Sequence, residues 1–250
     1  MPRLMEMCSP IVSDDSPTPA ADAERVVPAR LAAVRRRIDE AARRAGRSPG
    51  AVSLVAVTKG FDAKVARAAV TAGQVDLGES RVQELVAKSR SLGRGVRWHF
   101  VGRLQRNKVR DVVGLVSLIH SVDRLPLAER IAEEVQARWS GRVQRLLVQV
   151  NAGEDPAKAG CRIDEAGELV AAIRNLPGVA CEGLMTIPPL GTDPRPVFSR
   201  LRALRDELRE KFPEVQHLSM GMSSDVEVAV EEGATVVRVG EAVFGPRPSA

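Results

Sequence analysis

Apolar positions recur every three or four residues through Val27, Leu31, Val34, Ile38, Ala42 and Ala45, a spacing that predicts an amphipathic helix. Gly46 and then Pro49 stop it. After this helix the pattern changes to short apolar runs at residues 54–58, 75–77, 97–101, 117–121, 145–150, 179–185, 217–220 and 235–239. Between the runs the helical period returns, as in Leu127, Ile131, Val135 and Trp139, or Val197, Leu201, Leu204 and Leu208. Ser80 with Gln83, and Ser224 with Glu227, have the spacing of capping boxes at two helix starts.

Eight strands separated by helices predict an α/β protein, a single (β/α)8 TIM barrel rather than an open sheet. Pro246 and Pro248 leave no room for a full helix after the eighth run, so the helix before the first strand is expected to cover that gap. Residues 1–23, rich in Pro, Ser, Asp and Ala without any period, are expected to be a disordered leader. No linker divides the remainder, which makes residues 24–250 one domain.

Composition narrows the function. The 250 residues are 44% hydrophobic, with five Phe, two Trp and no Tyr, so apolar burial falls to Val, Leu and Ala, as in buried parallel strands. The net charge of +5 and a pI near 9.5 permit anionic partners. Arg and Glu interleave along segments such as residues 200–211, however, which reads as solvated helix faces. With so few aromatics to stack bases, a nucleic-acid surface is not expected. Cys8, Cys161 and Cys181 form no paired motif, which fits a reducing cytoplasm and neither a disulfide framework nor a zinc site. No apolar run has membrane-spanning length, and no signal peptide is visible.

Barrel sites form where strands end, so the residues leaving each strand matter most. The first run ends in Thr58-Lys59-Gly60. Burial penalises an ammonium, and a strand-end lysine of this kind is a candidate for Schiff-base formation with a carbonyl. By itself Lys59 better suits a lysine that merely reaches solvent from a strand end. The seventh run leads into Ser219-Met-Gly221-Met-Ser223-Ser224-Asp225, and the eighth into Arg238-Val-Gly240-Glu241. Glycines, hydroxyls and helix starts after strands seven and eight make a phosphate cradle. A phosphate cradle beside a Schiff-base lysine points to a phosphorylated aldehyde: pyridoxal 5′-phosphate (PLP), or the sugar phosphate of a class I aldolase. Arg238 shares a strand face with Gly240, and an arginine is one usual partner of the PLP ring nitrogen, which favours PLP.

Over about residues 30 to 247 the chain resembles the PLP homeostasis proteins, also called the proline synthase co-transcribed or YggS-like family. The segments that carry the resemblance are Leu54-Val-Ala-Val-Thr-Lys59, Leu77-Gly-Glu-Ser-Arg-Val-Gln-Glu84, Trp98-His-Phe-Val-Gly-Arg-Leu-Gln-Arg-Asn-Lys108, Gly183-Leu-Met-Thr-Ile-Pro188, Leu218-Ser-Met-Gly-Met-Ser223 and Val237-Arg-Val-Gly240. The resemblance implies the barrel of the alanine racemase N-terminal domain and a monomer. It implies that Lys59 carries PLP as an internal aldimine, that Ser223, Gly240 and the backbone of Glu241 hold the phosphate, and that Arg238 faces the pyridine nitrogen. Ser80 stands where the family usually has Asn, and Glu241 where it often has Thr or Ser, so Glu241 is expected to turn outward. The candidate cofactor-binding set is Lys59, Ser80, His99, Ser219, Gly221, Ser223, Arg238, Gly240 and Glu241, with His99 behind the others. Asn151 and Lys158 follow the fifth strand and are weaker candidates.

The racemases use a lysine and a tyrosine on opposite faces of the cofactor, together with a further β-domain that closes the site. The absence of Tyr, and an end soon after the eighth strand, favour a cofactor carrier that serves PLP-dependent apoenzymes over an enzyme. Weak racemase or deaminase activity is the nearest alternative. A class I aldolase and an RNA-binding protein are more distant ones.

Overall fold

The structure, a computed structural model, describes residues 22–247. The expected leader lies outside the described residues except for its last two, where Asp22 caps the first helix and Ala23 begins it. That helix, α1 (Ala23–Arg44), buries Val27, Leu31, Val34, Ile38 and Ala42, the stripe that its period predicts.

Eight parallel strands follow and close on themselves: β1 (Ser53–Val57), β2 (Asp76–Glu79), β3 (Arg97–Phe100), β4 (Val116–Val122), β5 (Gln144–Gln149), β6 (Val179–Met185), β7 (His217–Ser219) and β8 (Val236–Val239). Each run expected from the sequence coincides with one of them, shifted by a residue or two at most ends. The connecting helices are α2 (Ala63–Thr71), α3 (Val82–Leu92), α4 (Val109–Val112), α5 (Leu125–Arg138), α6 (Ala166–Arg174), α7 (Arg195–Lys211), α8 (Val226–Glu231) and α9 (Glu241–Phe244). Because α9 is a single turn, the seam between β8 and β1 needs another cover. α1 supplies it by packing against α2, α8 and α9.

Alternation sorts each strand into two faces. Leu54, Ala56, Leu77, Val237 and Val239 point outward into the layer between barrel and helices, the main apolar core. Inside, Leu118, Leu147 and Met185 form a small apolar cluster with Ile187. The other side of the interior is polar, with His120, Ser219 and Arg238 all buried.

Neither expected capping box forms. The residue before α3 is Arg81, and the Ser80 hydroxyl has no partner among the described residues. Glu227 instead receives two bonds from the Arg37 guanidinium of α1, at 2.6 and 2.9 Å, because a forked cation outcompetes the single backbone N–H that a capping box offers a carboxylate. Arg37 also donates to the Ser223 carbonyl at 3.1 Å, tying α1 to the loop after β7. Cys161 and Cys181 are free and buried, and Cys8 lies outside the described residues. Among the described residues no helix is long and apolar enough to cross a membrane.

If α1 is part of the domain rather than an appendage, Leu31→Ala costs about 2–5 kcal/mol, as for a truncated core leucine. Urea unfolding monitored by circular dichroism measures this, and a loss below 0.5 kcal/mol, roughly the size of a surface substitution, refutes it.

Candidate functional site

Lys59 leaves the end of β1 half-buried and lines a cavity of about 320 Å³ at the carboxyl end of the barrel. Val57, Phe61, Val101 and Ile187 give the cavity apolar walls, while Ser223, Ser224, Gly240 and Glu241 border it from the loops after β7 and β8. Arg238 reaches it from the barrel interior, and Arg247 from the chain beyond α9. A volume near 300 Å³ is at the lower end of small-molecule sites.

Strand register brings these groups together. Val55 of β1 pairs with Arg238 of β8, so Val57 and Lys59 continue on the face that Gly240 continues from Arg238. Gly240 leaves little room for a side chain, since a Cβ there would lie 3.1 Å from the Val57 carbonyl oxygen. The Ser223 hydroxyl accepts the Ala242 N–H at 3.1 Å and keeps its own proton to donate toward a ligand. A bare glycine, a hydroxyl donor and the start of α9 suit a phosphate. Lys59, Arg238 and Arg247 against the single carboxylate of Glu241 leave the cavity positive, as an anionic ligand requires.

The backbone that carries Lys59 is fixed on both sides. Lys88 of α3 donates to the Thr58 carbonyl at 2.7 Å, to Glu79 Oε1, and to Glu84 Oε2 at 3.0 Å. The Thr58 hydroxyl donates to Glu79 Oε1 at 2.6 Å, and the Gly60 N–H donates to Glu84 Oε2 at 2.9 Å. All three Lys88 protons have acceptors, and both Lys88 and Glu79 are buried between the barrel wall and α3. No chemistry in the sequence marked Glu79, Glu84 or Lys88. Their nine-residue spread across a strand, a turn and a helix looks like ordinary surface charge.

Four expected site residues are not in the cavity lining. Ser80 packs its backbone against Gly102, where a Cβ would meet the Ser80 carbonyl oxygen at 2.2 Å. Gly221 takes φ +96°, and its missing side chain faces Ala229 of α8, so it serves the turn. Ser219 lies beneath the cavity, accepting from Arg238 Nη1 at 2.7 Å and bonding His120 Nδ1 at 2.7 Å. His99 is deeper still: its Nδ1 meets His120 Nε2 at 2.9 Å and its Nε2 meets Asp76 Oδ1 at 3.2 Å. Arg238 also donates to the Thr186 carbonyl at 3.0 Å. Glu241 is exposed at the mouth. Asn151 exchanges two hydrogen bonds with the Asp155 backbone, closing its own loop. Arg247, Phe61 and Met222 line the cavity without having been expected there.

Burial lowers the Arg238 guanidinium to about 10, partly opposed by Asp225, so it remains a cation at neutral pH. Burial also pushes the His120 imidazole well below its usual value, and the nearby His99 and Arg238 act in the same direction. Burial alone would raise the Asp76 carboxyl, but hydrogen bonds from Arg97 and His99 outweigh it and hold the group well below the usual carboxylate range.

The model of the alanine racemase N-terminal domain family matches residues 29–248. The chain is 44% identical over 223 residues to the pyridoxal phosphate homeostasis protein of Aquifex aeolicus, covering 87% of this chain and 97% of that one. It is 39% identical over 224 residues to the protein of the same name from Escherichia coli K12, covering 87% and 95%. Among solved structures, PipY of Synechococcus elongatus with PLP bound superposes with a TM-score of 0.77 at 37% identity, covering 88% of this chain and all of that one. Alanine racemase from Corynebacterium glutamicum shares the fold at 16% identity and a TM-score of 0.69, and this chain spans 63% of its length.

Lys88→Met leaves the buried Glu79 carboxylate unpaired and is expected to cost about 3–5 kcal/mol of stability, with much of it recovered when Glu79→Gln is added. Chemical unfolding of the two single variants and the double variant checks this, and equal stability of all four proteins refutes it. Asp76, whose carboxyl is depressed in the fold, contributes stability above its unfolded value of about 3.9 and loses it as pH falls. The gap in unfolding free energy between the native chain and Asp76→Asn therefore narrows as pH drops below about 4.

Proposed function

The chain belongs to the pyridoxal phosphate homeostasis proteins, within the family of the alanine racemase N-terminal domain, and from that premise we propose that it holds PLP on Lys59 as a reservoir or delivery protein. The carrying observation is the cavity itself, in which a lysine amine, a buried guanidinium and a glycine–serine cradle converge.

When bound, the cofactor supplies an aldehyde that condenses with an amine, releasing water, and a phosphate dianion that seeks N–H and hydroxyl donors. Lys59 provides the amine. Its neighbours Thr58 and Gly60 are anchored through Lys88 and Glu84, so the amine is presented from a fixed backbone. Ser223, Gly240 and the backbone of Glu241 would hold the phosphate end, and Arg238 would face the ring nitrogen. A guanidinium donates a hydrogen bond yet keeps its proton, so Arg238 would orient the ring without protonating it. Arg247 adds positive charge at the mouth.

Holding rather than turnover is favoured by the groups that line the cavity. Those able to titrate are Lys59, Arg238, Glu241 and Arg247. Arg238 remains a cation at neutral pH, and Glu241 is exposed. The tyrosine of the racemase pattern has no counterpart in the 250 residues. In this reading the chain acts as a cytoplasmic monomer whose recipients are PLP-dependent apoenzymes. Surface arginines engaged with acidic neighbours, such as Arg195 with Glu231 and Glu232, support partners other than nucleic acid.

Adding PLP to the purified protein is expected to produce a visible absorption band, and borohydride reduction a covalent label on Lys59. Lys59→Ala loses both, and a band that survives in that variant sinks the assignment. Arg238→Ala weakens binding about ten- to a hundredfold, the scale of a lost charge-assisted hydrogen bond, without preventing labelling. Enzyme-like exchange of amino-acid α-protons in deuterated water would overturn the carrier reading.

A further inference from the structure

Arg238 is a buried cation that makes no ion pair among the described residues, which is costly unless its donors and its charge are answered elsewhere. One chain of contacts leads away from it, through Ser219, His120 and His99 to Asp76, the first residue of β2. Arg97, the first residue of β3, closes the chain with two bonds to Asp76 at 2.7 and 2.6 Å. The chain thus runs across the barrel interior from the cavity floor to the opposite, amino-terminal rim.

The direction of its hydrogen bonds follows from what each group can do. Asp76 is ionised and only accepts, so His99 Nε2 carries a proton toward it. His120 is buried and neutral, with one N–H. If that proton sat on Nδ1, His120 Nε2 would have to accept from a doubly protonated His99, and the Ser219 hydroxyl proton would be left without a partner. With the proton on Nε2, His120 donates to His99 Nδ1 and accepts from the Ser219 hydroxyl, which accepts in turn from Arg238. Each proton passed along the chain then has an acceptor, and all the bonds point from Arg238 toward Asp76.

We propose that Ser219, His120, His99 and Asp76 are positioning residues for Arg238, a one-way hydrogen-bond relay that locks its guanidinium under the cavity and ends on a carboxylate at the far rim of the barrel. Two bonds, to Ser219 and to Thr186, fix the guanidinium plane. The remaining N–H groups are then held for whatever occupies the cavity. At the other end Asp76 borders a second cavity of about 320 Å³, with Arg35, Asp39, Ser53 and Gln74 in its wall. Solvent conditions at that face therefore bear on the relay. The charged and titratable groups around it are Arg97, Arg35 and Asp39 near Asp76, His217, Arg145 and Arg238 around His120, and Asp225 near Arg238. The relay rests on the PLP reading only for what Arg238 faces.

Two measurements test it. Nitrogen-15 NMR of the imidazoles in the protein alone is expected to show His120 with its single proton on Nε2, and a perturbed His120 signal in Asp76→Asn. A proton on Nδ1 overturns the relay. With PLP added, Ser219→Ala is expected to weaken binding about tenfold and Ser219→Thr to restore it to within about twofold. Asp76→Asn, on the opposite face, is expected to shift the pH profile of the visible band while unfolding remains cooperative. Native affinity, band and pH profile in both Ser219→Ala and Asp76→Asn overturn the positioning role. A native protein that takes up no PLP counts against the PLP reading, and the imidazole tautomers then still decide the relay.

Discussion

The pairing of the first strand with the last is the constraint on which the cavity depends. Four register pairs, from Ser53 with Val236 to Ala56 with Val239, set Lys59 above the layer that holds Arg238 and Gly240. A slip of one residue would turn Arg238 outward into the apolar layer beneath α1 and bring Val237 or Val239 into the site. These partners are nearly two hundred residues apart in sequence, so their contact is among the last that chain entropy favours. The surrounding packing compensates. α1 lies across α2, α8 and α9 at that seam, and Arg37 bonds Glu227 and the Ser223 carbonyl from it. The helix that covers the closure thus also steadies one loop of the cradle.

Two polar clusters flank the cavity, and both sit where apolar packing would be simpler. Outside the barrel wall, Glu79 and Lys88 are buried in a layer that is otherwise mostly apolar. Inside, the relay occupies a volume that β4, β5 and β6 fill with Leu118, Leu147 and Met185 on their side. Buried charge adds little net stability compared with a well-packed apolar replacement. An apolar replacement, however, could hold neither the Thr58 carbonyl nor the Gly60 N–H through Glu84, nor could it satisfy a guanidinium. Stability is exchanged for placement at the two points, Lys59 and Arg238, where position matters most.

The barrel was legible because buried parallel strands read as continuous apolar runs, and eight of them separated by helices leave few topologies. The residues leaving β1, β7 and β8 were legible too, and Lys59, Ser223, Arg238, Gly240 and Glu241 do share one cavity. Depth along the barrel axis was not. Alternation turns His99 and Ser219 inward, but in a closed barrel an inward residue can line the mouth or fill the middle, and the tilt of the strands decides which. Gly221 was assigned to the ligand, although the side chain it lacks would collide with Ala229. The Ser224–Glu227 cap failed because Arg37, 190 residues away from Glu227, claims the carboxylate. The Glu79–Lys88 pair escaped notice because a glutamate on a strand and a lysine on a helix resemble solvated charges until the two elements pack.

The cavity differs in character from floor to mouth, and that difference bears on how a carrier would work. Arg238, Ser219 and His120 form a floor whose partners are all fixed within the core. Lys59 is half-buried, while Glu241 and Arg247 at the mouth are exposed. Affinity then comes from contacts that need no rearrangement, since floor and cradle are already set. In the carrier reading, exchange would pass by the exposed side chains at the mouth. A reservoir must bind firmly and still release, and differences in affinity among related complexes arise mainly in the off-rate. A hydrogen-bonded floor under an open mouth suits both demands, with the binding contacts buried and the way out exposed.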